Sequence, residues 1–439
     1  MTKFYEEPID PYIPQNGNRG FRVSRYELEL HYRVASNRLM GKASITAVTT
    51  DVRTKFTLDL SQSLSVSKVF VNGGKGAKHQ HQRGKLIVTP QDRIPAGGVL
   101  SIVVHYGGTP KPIRGLWGTV GWEELTEGAI VASQPNGAAS WFPCDDHPSS
   151  KASYRISITT DSPFYALANG TLLRKQTKAS QTTWVYEQTE PMASYLATIQ
   201  IGRYERRRVG QKPVPMNAVI PTNLRNAFDH DFGRQPLMMS AFERMFGPYP
   251  FSGYTVVVTD DKLEIPIEAQ GISIFGSNHC DGRRGAERLV AHELAHQWFG
   301  NSLTIKAWKD IWLHEGFATY AEWLWSEESG GPTAEQLAKA ARHNLSRLPQ
   351  DITIGDPGPE LMFDDRVYKR GALTLHALRL ELRDERFFEL LRTWTTRHRH
   401  SWISTDEFTD LAAHFTHIPL HPLWDQWLGE KVLPELPPR

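Results

Sequence analysis

The sequence predicts an α+β multidomain protein, an all-β first half followed by a mostly helical second half. Short runs that alternate apolar and polar residues recur from Phe21 onward, and no long helical pattern precedes about residue 220. Beyond that point apolar residues recur at helical spacing in several segments, one of which contains the sequence H-E-x-x-H. A length of 439 residues, with 40% apolar and 22% charged side chains, supports two or three domains around large cores. The expected division is 1–205 and 206–439, where the composition changes.

Residues 1–20 read as an extended arm, with Pro8, Pro11 and Pro14 followed by Asn16, Gly17, Asn18 and Gly20. The first strand alternates cleanly through Tyr26, Leu28, Leu30, Tyr32 and Val34. Further strand runs are Ala43–Val48, Phe56–Leu60, Val66–Val71, Lys85–Val88, Leu100–Tyr106, Tyr154–Thr159 and Thr183–Tyr186. Turn chemistry such as Asn72-Gly73-Gly74 and Ala96-Gly97-Gly98 separates several of them. His79 and His81 fall on an expected hairpin tip, where two solvated turn residues account for them better than a metal site.

After Pro221-Thr222 a helix is expected through Phe246, ended by Gly247-Pro248-Tyr249-Pro250. Strands follow at Tyr254–Thr259 and Ile272–Phe275, with an edge-like segment from Glu264 between them. The helix around His292-Glu293-Leu294-Ala295-His296 comes next, then a second apolar helix carrying Glu315 and reaching Gly330-Gly331-Pro332. Another helix covers about Thr333–Leu348, and an apolar-periodic one runs from Val367 to about Leu382. Trp424, Trp427 and Leu428 offer docking surface near the end.

The chemistry lies in the H-E-x-x-H helix. Histidines four residues apart sit about 40° apart in projection and roughly 6 Å apart along the axis, so both imidazoles reach one ion from one face. Glu293, about 100° round from His292, flanks a water on that ion rather than joining its coordination shell. Eighteen residues separate His296 from Glu315, which brings a third ligand from the next helix. Two nitrogens, one carboxylate, one adjacent base and an open position make the layout of a zinc hydrolase with one Zn2+ per chain.

H-E-x-x-H, eighteen residues, then Glu resembles the zinc signature of the gluzincin aminopeptidases, the M1 family, as do the flanking His296-Gln297-Trp298-Phe299-Gly300-Asn301 and Trp312-Leu313-x-Glu315-Gly316-Phe317-Ala318. His314 departs from the family's usual Asn. Further resemblances are Trp141-Phe142-Pro143-Cys144-Asp145-Asp146-His147 through Lys151-Ala152, with His147 at an acidic position, and Glu190-Pro191-Met192-Ala193-Ser194-Tyr195-Leu196. The resemblance covers about residues 20–430 and implies a saddle-like β domain, a thermolysin-like catalytic domain and a short form without the family's C-terminal helical domain. It implies an aminopeptidase acting on peptides, with His292, His296 and Glu315 on zinc, Glu293 as base and Tyr368 (in Val367-Tyr368-Lys369-Arg370-Gly371-Ala372) binding the oxyanion. Gln134, eight residues before Phe142, and Glu268, in the place of the family's G-x-M-E-N strand, are implied to hold the substrate's α-amino group. Ile265 and Ala269 depart from that strand's first Gly and its Asn.

Several points stay open in the residues themselves. Glu264, two strand steps from Glu268, competes as the amine anchor. Glu322, seven residues beyond Glu315 on the same face, is either a partner for a zinc histidine or a solvated carboxylate. An open-cleft zinc endopeptidase, a non-catalytic peptide-binding protein, and a structural zinc site on His279, Cys280, His292 and His296 are the rival readings. A net charge of +2 gives no reason to expect nucleic acid or a membrane surface as partner. Two cysteines form no disulfide framework and no secretory signal is visible in residues 1–18, so a cytoplasmic setting is expected. Oligomeric state is not readable.

Overall fold

The computed structural model describes residues 9–438 and divides into two compact units, Met1–Tyr204 and Glu205–Arg439. Pro8 and the rest of the first eight residues of the expected arm lie outside the described residues. Among the described residues, no helix is long and apolar enough to cross a membrane.

The first unit is built from β-strands. Its largest sheet has seven, in the order Thr171–Lys178, Gln181–Ala193, Lys151–Asp161, Phe21–Arg33, Arg38–Thr49, Val99–Gly108, Leu64–Val71. All neighbours are antiparallel except Phe21–Arg33 beside Lys151–Asp161. The alternation in the first strand is real, and a bulge between Val23 and Arg25 shifts its phase so that Val23 and Tyr26 are both buried. Val34, expected in the strand, starts a short 3-10 turn instead. A five-stranded and a three-stranded sheet complete the unit. His79 and His81 lie in the strand Lys78–Gln82 rather than at a hairpin tip, and His81 Nε2 donates to the Leu60 carbonyl at 2.9 Å.

The segment resembling F-P-C-x-D is part of this unit's core. Tyr26 stacks on Tyr154 at 4.9 Å and meets Phe142 edge-on at 5.5 Å. Asp146 accepts from the Ser194 hydroxyl at 2.7 Å, which ties this segment to the one around Met192. The described part of the arm is turned rather than extended. Gly17 N–H donates to Asp59 at 2.9 Å, and Tyr12 and Ile13 are buried.

The second unit opens with a mixed sheet in the order Glu205–Gly210, Met216–Ile220, Tyr254–Val258, Ile272–Phe275, Ile267–Ala269. The last two strands form an antiparallel hairpin at the sheet's edge. The helix expected from residue 222 to Phe246 is two helices, α1 (Arg225–Asp231) and α2 (Gln235–Phe246). Pro236 explains the break. In a continuous helix its ring would meet the carbonyl of Phe232, whereas in the first turn of α2 its missing N–H costs nothing.

Further helices follow: α3 (Glu287–Ala295), α4 (Trp312–Glu328), α5 (Ala334–Leu345), α6 (Asp365–Arg397) and α7 (Thr405–Ala413). Thr333 caps α5 through a reciprocal pair of hydrogen bonds with Gln336. The backbone of α6 breaks at Arg383 (φ 66°, ψ 162°), next to the expected end at Leu382.

Helices α4 and α6 cross at two glycines. A Cβ on Gly316 would lie 2.8 Å from Gly371 Cα, and a Cβ on Gly371 would lie 2.8 Å from Gly316 Cα. That backbone-to-backbone approach sets the height of the first turn of α6 over α4. Immediately before Gly371, Arg370 is buried and donates to the carbonyls of Gln426, Trp427, Glu430, Lys431 and Val432. The end of the chain is thereby docked on α6, with Trp427 and Leu428 buried beneath it and Trp424 only partly so. We expect Gly316→Ala to force these helices apart and lower stability by about 1–3 kcal/mol, the usual cost of overpacking. A denaturant melt showing an unchanged midpoint would contradict this view of the crossing.

Candidate active site

The site residues of the second unit come from four elements. Helix α3 carries His292 and Glu293, and His296 is its C-cap, still in helical conformation (φ −55°, ψ −23°). Glu315 lies in the first turn of α4, where the helix dipole favours a carboxylate. Glu268 sits on the edge strand, and Tyr368 in the first turns of α6.

The structure brings His292, His296 and Glu315 together. One donor atom from each lies within 4.8 Å of the other two, and all three side chains are buried. Glu315 Oε2 is 3.4 Å from Nε2 of His292 and 3.4 Å from Nε2 of His296. Ligands at about 2.1 Å from a tetrahedral ion stand about 3.4 Å apart, so the spacing fits zinc. The tautomers fit as well. His292 Nδ1 is 2.8 Å from Glu322 Oε1, and His296 Nδ1 is 3.0 Å from the Phe299 carbonyl, so both Nδ1 atoms donate, which leaves both Nε2 atoms, turned toward Glu315, as the ring nitrogens that can bind a metal. Glu322 is thus a partner of a zinc-site histidine, the alternative that sequence left open. A second group of donors, Glu268, Glu293 and His296, also lies within 4.8 Å, but it shares His296 and supplies only one nitrogen.

The electrostatics of the pocket favour positive charge. Burial alone would lower the histidine pKa values, but Glu315 and Glu322 raise His292 to about 9, and Glu315, Glu268 and Glu293 raise His296 to about 10. Glu315 opposes its own burial through the two histidines and is held well below the usual carboxylate range. Burial raises Glu268, and raises Glu293 to about 7. Glu293 Oε2 is buried and meets no donor from the described residues, so its partner must come from solvent or substrate. Burial and the carboxylates of Glu315, Glu268 and Glu293 push Tyr368 well above its ordinary value. Its phenol therefore keeps its proton, and its ring lies parallel to His292 with centroids 6.2 Å apart.

The other expectations separate by position. Glu264 is exposed and precedes the edge strand, whereas Glu268 is buried on it, pairing with Ser273 across the hairpin. Gln134 lies in the first unit, half-buried in a turn closed by a 2.7 Å hydrogen bond from Gly137 N–H to the Ser133 carbonyl. His279 and Cys280 join neither donor group, which removes the structural zinc site built on them. His314, at the position that departs from the family's Asn, accepts from Ile305 N–H at 3.0 Å through Nε2 and so pins the segment after the zinc-site histidines to α4. Gln297 and Asn301, quoted above only as flanking residues, are fully buried and bonded to the edge hairpin. Polar residues one turn apart, next to a histidine ligand, were the available signal.

Residues 23–196 match the family model of the peptidase M1 N-terminal domain, and residues 231–427 match that of the peptidase family M1 domain. The leucyl aminopeptidase of Saccharolobus solfataricus is 24% identical, the match covering 94% of this chain and 54% of the relative. Aminopeptidase M1-D of Oryza sativa is 26% identical, covering 93% and 50%. The chain therefore spans about half the length of these curated relatives. The crystal structure of an M1 zinc metallopeptidase from Deinococcus radiodurans superposes with a TM-score of 0.89 at 28% identity, covering 98% of this chain and 100% of that one. A mutant of that protein has been crystallised with a Tyr-Ser-Ala substrate. For the present chain, Glu322→Gln should weaken zinc binding by about 10–100-fold, the usual effect of removing a histidine's outer partner, as read by chelator competition.

Proposed function

The chain belongs to peptidase family M1, and from that premise we propose that it is a zinc-dependent aminopeptidase, releasing N-terminal amino acids from peptides. The observation that carries the reading is one buried pocket holding three zinc-type donors, a carboxylate oxygen with no donor among the described residues, and a further carboxylate on an edge strand. His292, His296 and Glu315 would hold the zinc, which when bound would supply a Lewis acid to polarise the scissile carbonyl and acidify a water. Glu293 takes a proton from the attacking water through Oε2 as the water oxygen bonds to the scissile carbonyl carbon, and passes that proton to the departing amine as the C–N bond breaks. Burial suits it to both halves of the transfer, since it raises the carboxyl above the usual carboxylate range. Tyr368, protonated and beside His292, donates a hydrogen bond to the oxygen on which charge develops.

Glu268 accepts from the substrate's α-ammonium. Buried beside Glu293 and Glu315, it gains most from a cation placed against it, and a free peptide N-terminus provides one. Holding that ammonium fixes the first peptide bond over the metal site. Gln134 is assigned to the same ammonium on family resemblance, and as a neutral group it should contribute less. A cytoplasmic setting agrees with two buried, unpaired cysteines, and cell fractionation checks it.

Glu293→Gln should retain zinc yet lose about 10²–10⁴-fold in kcat, measured on aminoacyl fluorogenic amides. Glu268→Ala should lose roughly 2–4 kcal/mol of transition-state binding for free-amine substrates and nothing for N-acetylated ones. Equal cleavage of free and acetylated peptides by the wild type would instead make the protein an endopeptidase with an open cleft.

A further inference from the structure

The edge hairpin that carries Glu268 is fastened to the zinc helix at three points. Its turn is Gln270-Gly271, with Gly271 at φ 74°, in the left-handed region that glycine adopts at no steric cost. Gln297, the residue after His296, meets this turn with both ends of one carboxamide. Its Oε1 accepts from Gly271 N–H at 2.8 Å, and its Nε2 donates to the carbonyls of Ala269 at 3.2 Å and Ile272 at 3.4 Å. Asn301, one turn further on, donates from Nδ2 to the same Ala269 carbonyl at 2.9 Å. The third point is Ser273, directly opposite Glu268 in the hairpin, whose hydroxyl donates to the main-chain carbonyl of Glu293 at 3.3 Å and accepts from Tyr254 at 2.7 Å. Opposed residues in an antiparallel pair project to one face, so Glu268 points the way Ser273 does, toward α3.

We propose that Gln297, assisted by Asn301, is a positioning residue that sets the distance between the Glu268 carboxylate and the zinc ligands. The inference rests on the reading of Glu268 as the ammonium anchor. An edge strand is bonded to its sheet on one side only, so its outer residues are free to shift along or away from the sheet. The Ala269 carbonyl, next in the chain after Glu268, receives two side-chain donors, and both come from the segment that also supplies His296. Glu268 therefore moves with the zinc helix rather than with the sheet. The interval it holds is the length of one amino-acid residue, from ammonium to scissile carbonyl. A displacement of about 1 Å costs on the order of 10²-fold in rate for a substrate gripped at both ends. A peptide that lacks the ammonium is not gripped at Glu268 and does not register the displacement.

The test measures kcat/KM for one peptide in free-amine and N-acetylated form, with zinc content and melting midpoint for every variant. Gln297→Met keeps length and bulk and removes the three hydrogen bonds. It should keep one zinc per chain, lose about 10²-fold on the free-amine peptide, and leave residual cleavage of the acetylated peptide unchanged. In a Glu268→Ala background the same substitution should have no further effect. Gln297→Glu, which still accepts from Gly271 N–H, should recover part of the loss. Should Gln297→Met fold poorly, Asn301→Ser removes a single bond to Ala269 and carries the same comparison. Equal losses on both peptides, or an undiminished effect in the Glu268→Ala background, overturn the positioning role. If the wild type prefers the free amine and Glu268→Ala abolishes that preference while Gln297→Met and Asn301→Ser leave it intact, the inference fails and the aminopeptidase reading stands. If the wild type shows no preference, it is that reading which fails.

Discussion

Five ionisable side chains, His292, Glu293, His296, Glu315 and Glu322, are buried together in the second unit. Charges withdrawn from water are costly unless each meets a partner, and here nearly every one does. Glu322 accepts from one imidazole, the Phe299 carbonyl from the other, and Glu315 faces both Nε2 atoms. The exception is Oε2 of Glu293, which meets no donor among the described residues. The helices around the pocket supply the rigidity this arrangement needs. Glycines at the α4–α6 crossing let the backbones meet, which lets the α6 tyrosine come up beside His292.

Much of this was legible in the sequence because local spacing determined it. Two histidines four apart on a helix share a face whatever the tertiary context, and Ile272–Phe275 forms a strand with the bounds that its apolar run suggests. What failed depended on a single residue's stereochemistry or on distant partners. Pro236 splits a pattern that periodicity alone reads as continuous. The short or polar strands Lys78–Gln82 and Thr171–Lys178 carry no apolar alternation to find, since one is half-exposed and the other almost wholly so. Glu322 could not be separated from a solvated carboxylate, because its partner is thirty residues away in the chain. Only resemblance set Glu268 ahead of its competitor Glu264, for a related reason. Where the edge strand begins is settled by pairing with Ile272–Phe275, which the edge segment's own residues do not encode.

The departures from the M1 pattern have physical roles in this chain. His314 does an amide's work with a ring, accepting a main-chain N–H through Nε2. Ala269 contributes its main chain rather than a side chain, since its carbonyl receives both Gln297 and Asn301. His147, at a position usually acidic, bonds Ser149 through Nδ1 at 2.8 Å in the first unit.

Arg370 shows a different economy. Its guanidinium is buried, and burial draws its pKa down to about 10, yet it remains a cation at neutral pH. Its hydrogen-bond partners are five main-chain oxygens, so the charge is balanced by peptide dipoles rather than by a paired carboxylate. Dipoles held at contact distance inside the protein are not displaced by dissolved ions, as partners of a surface ion pair are. The segment 426–432 is thus moored to the tyrosine-bearing helix by a joint of main-chain carbonyls that dissolved salt does not loosen.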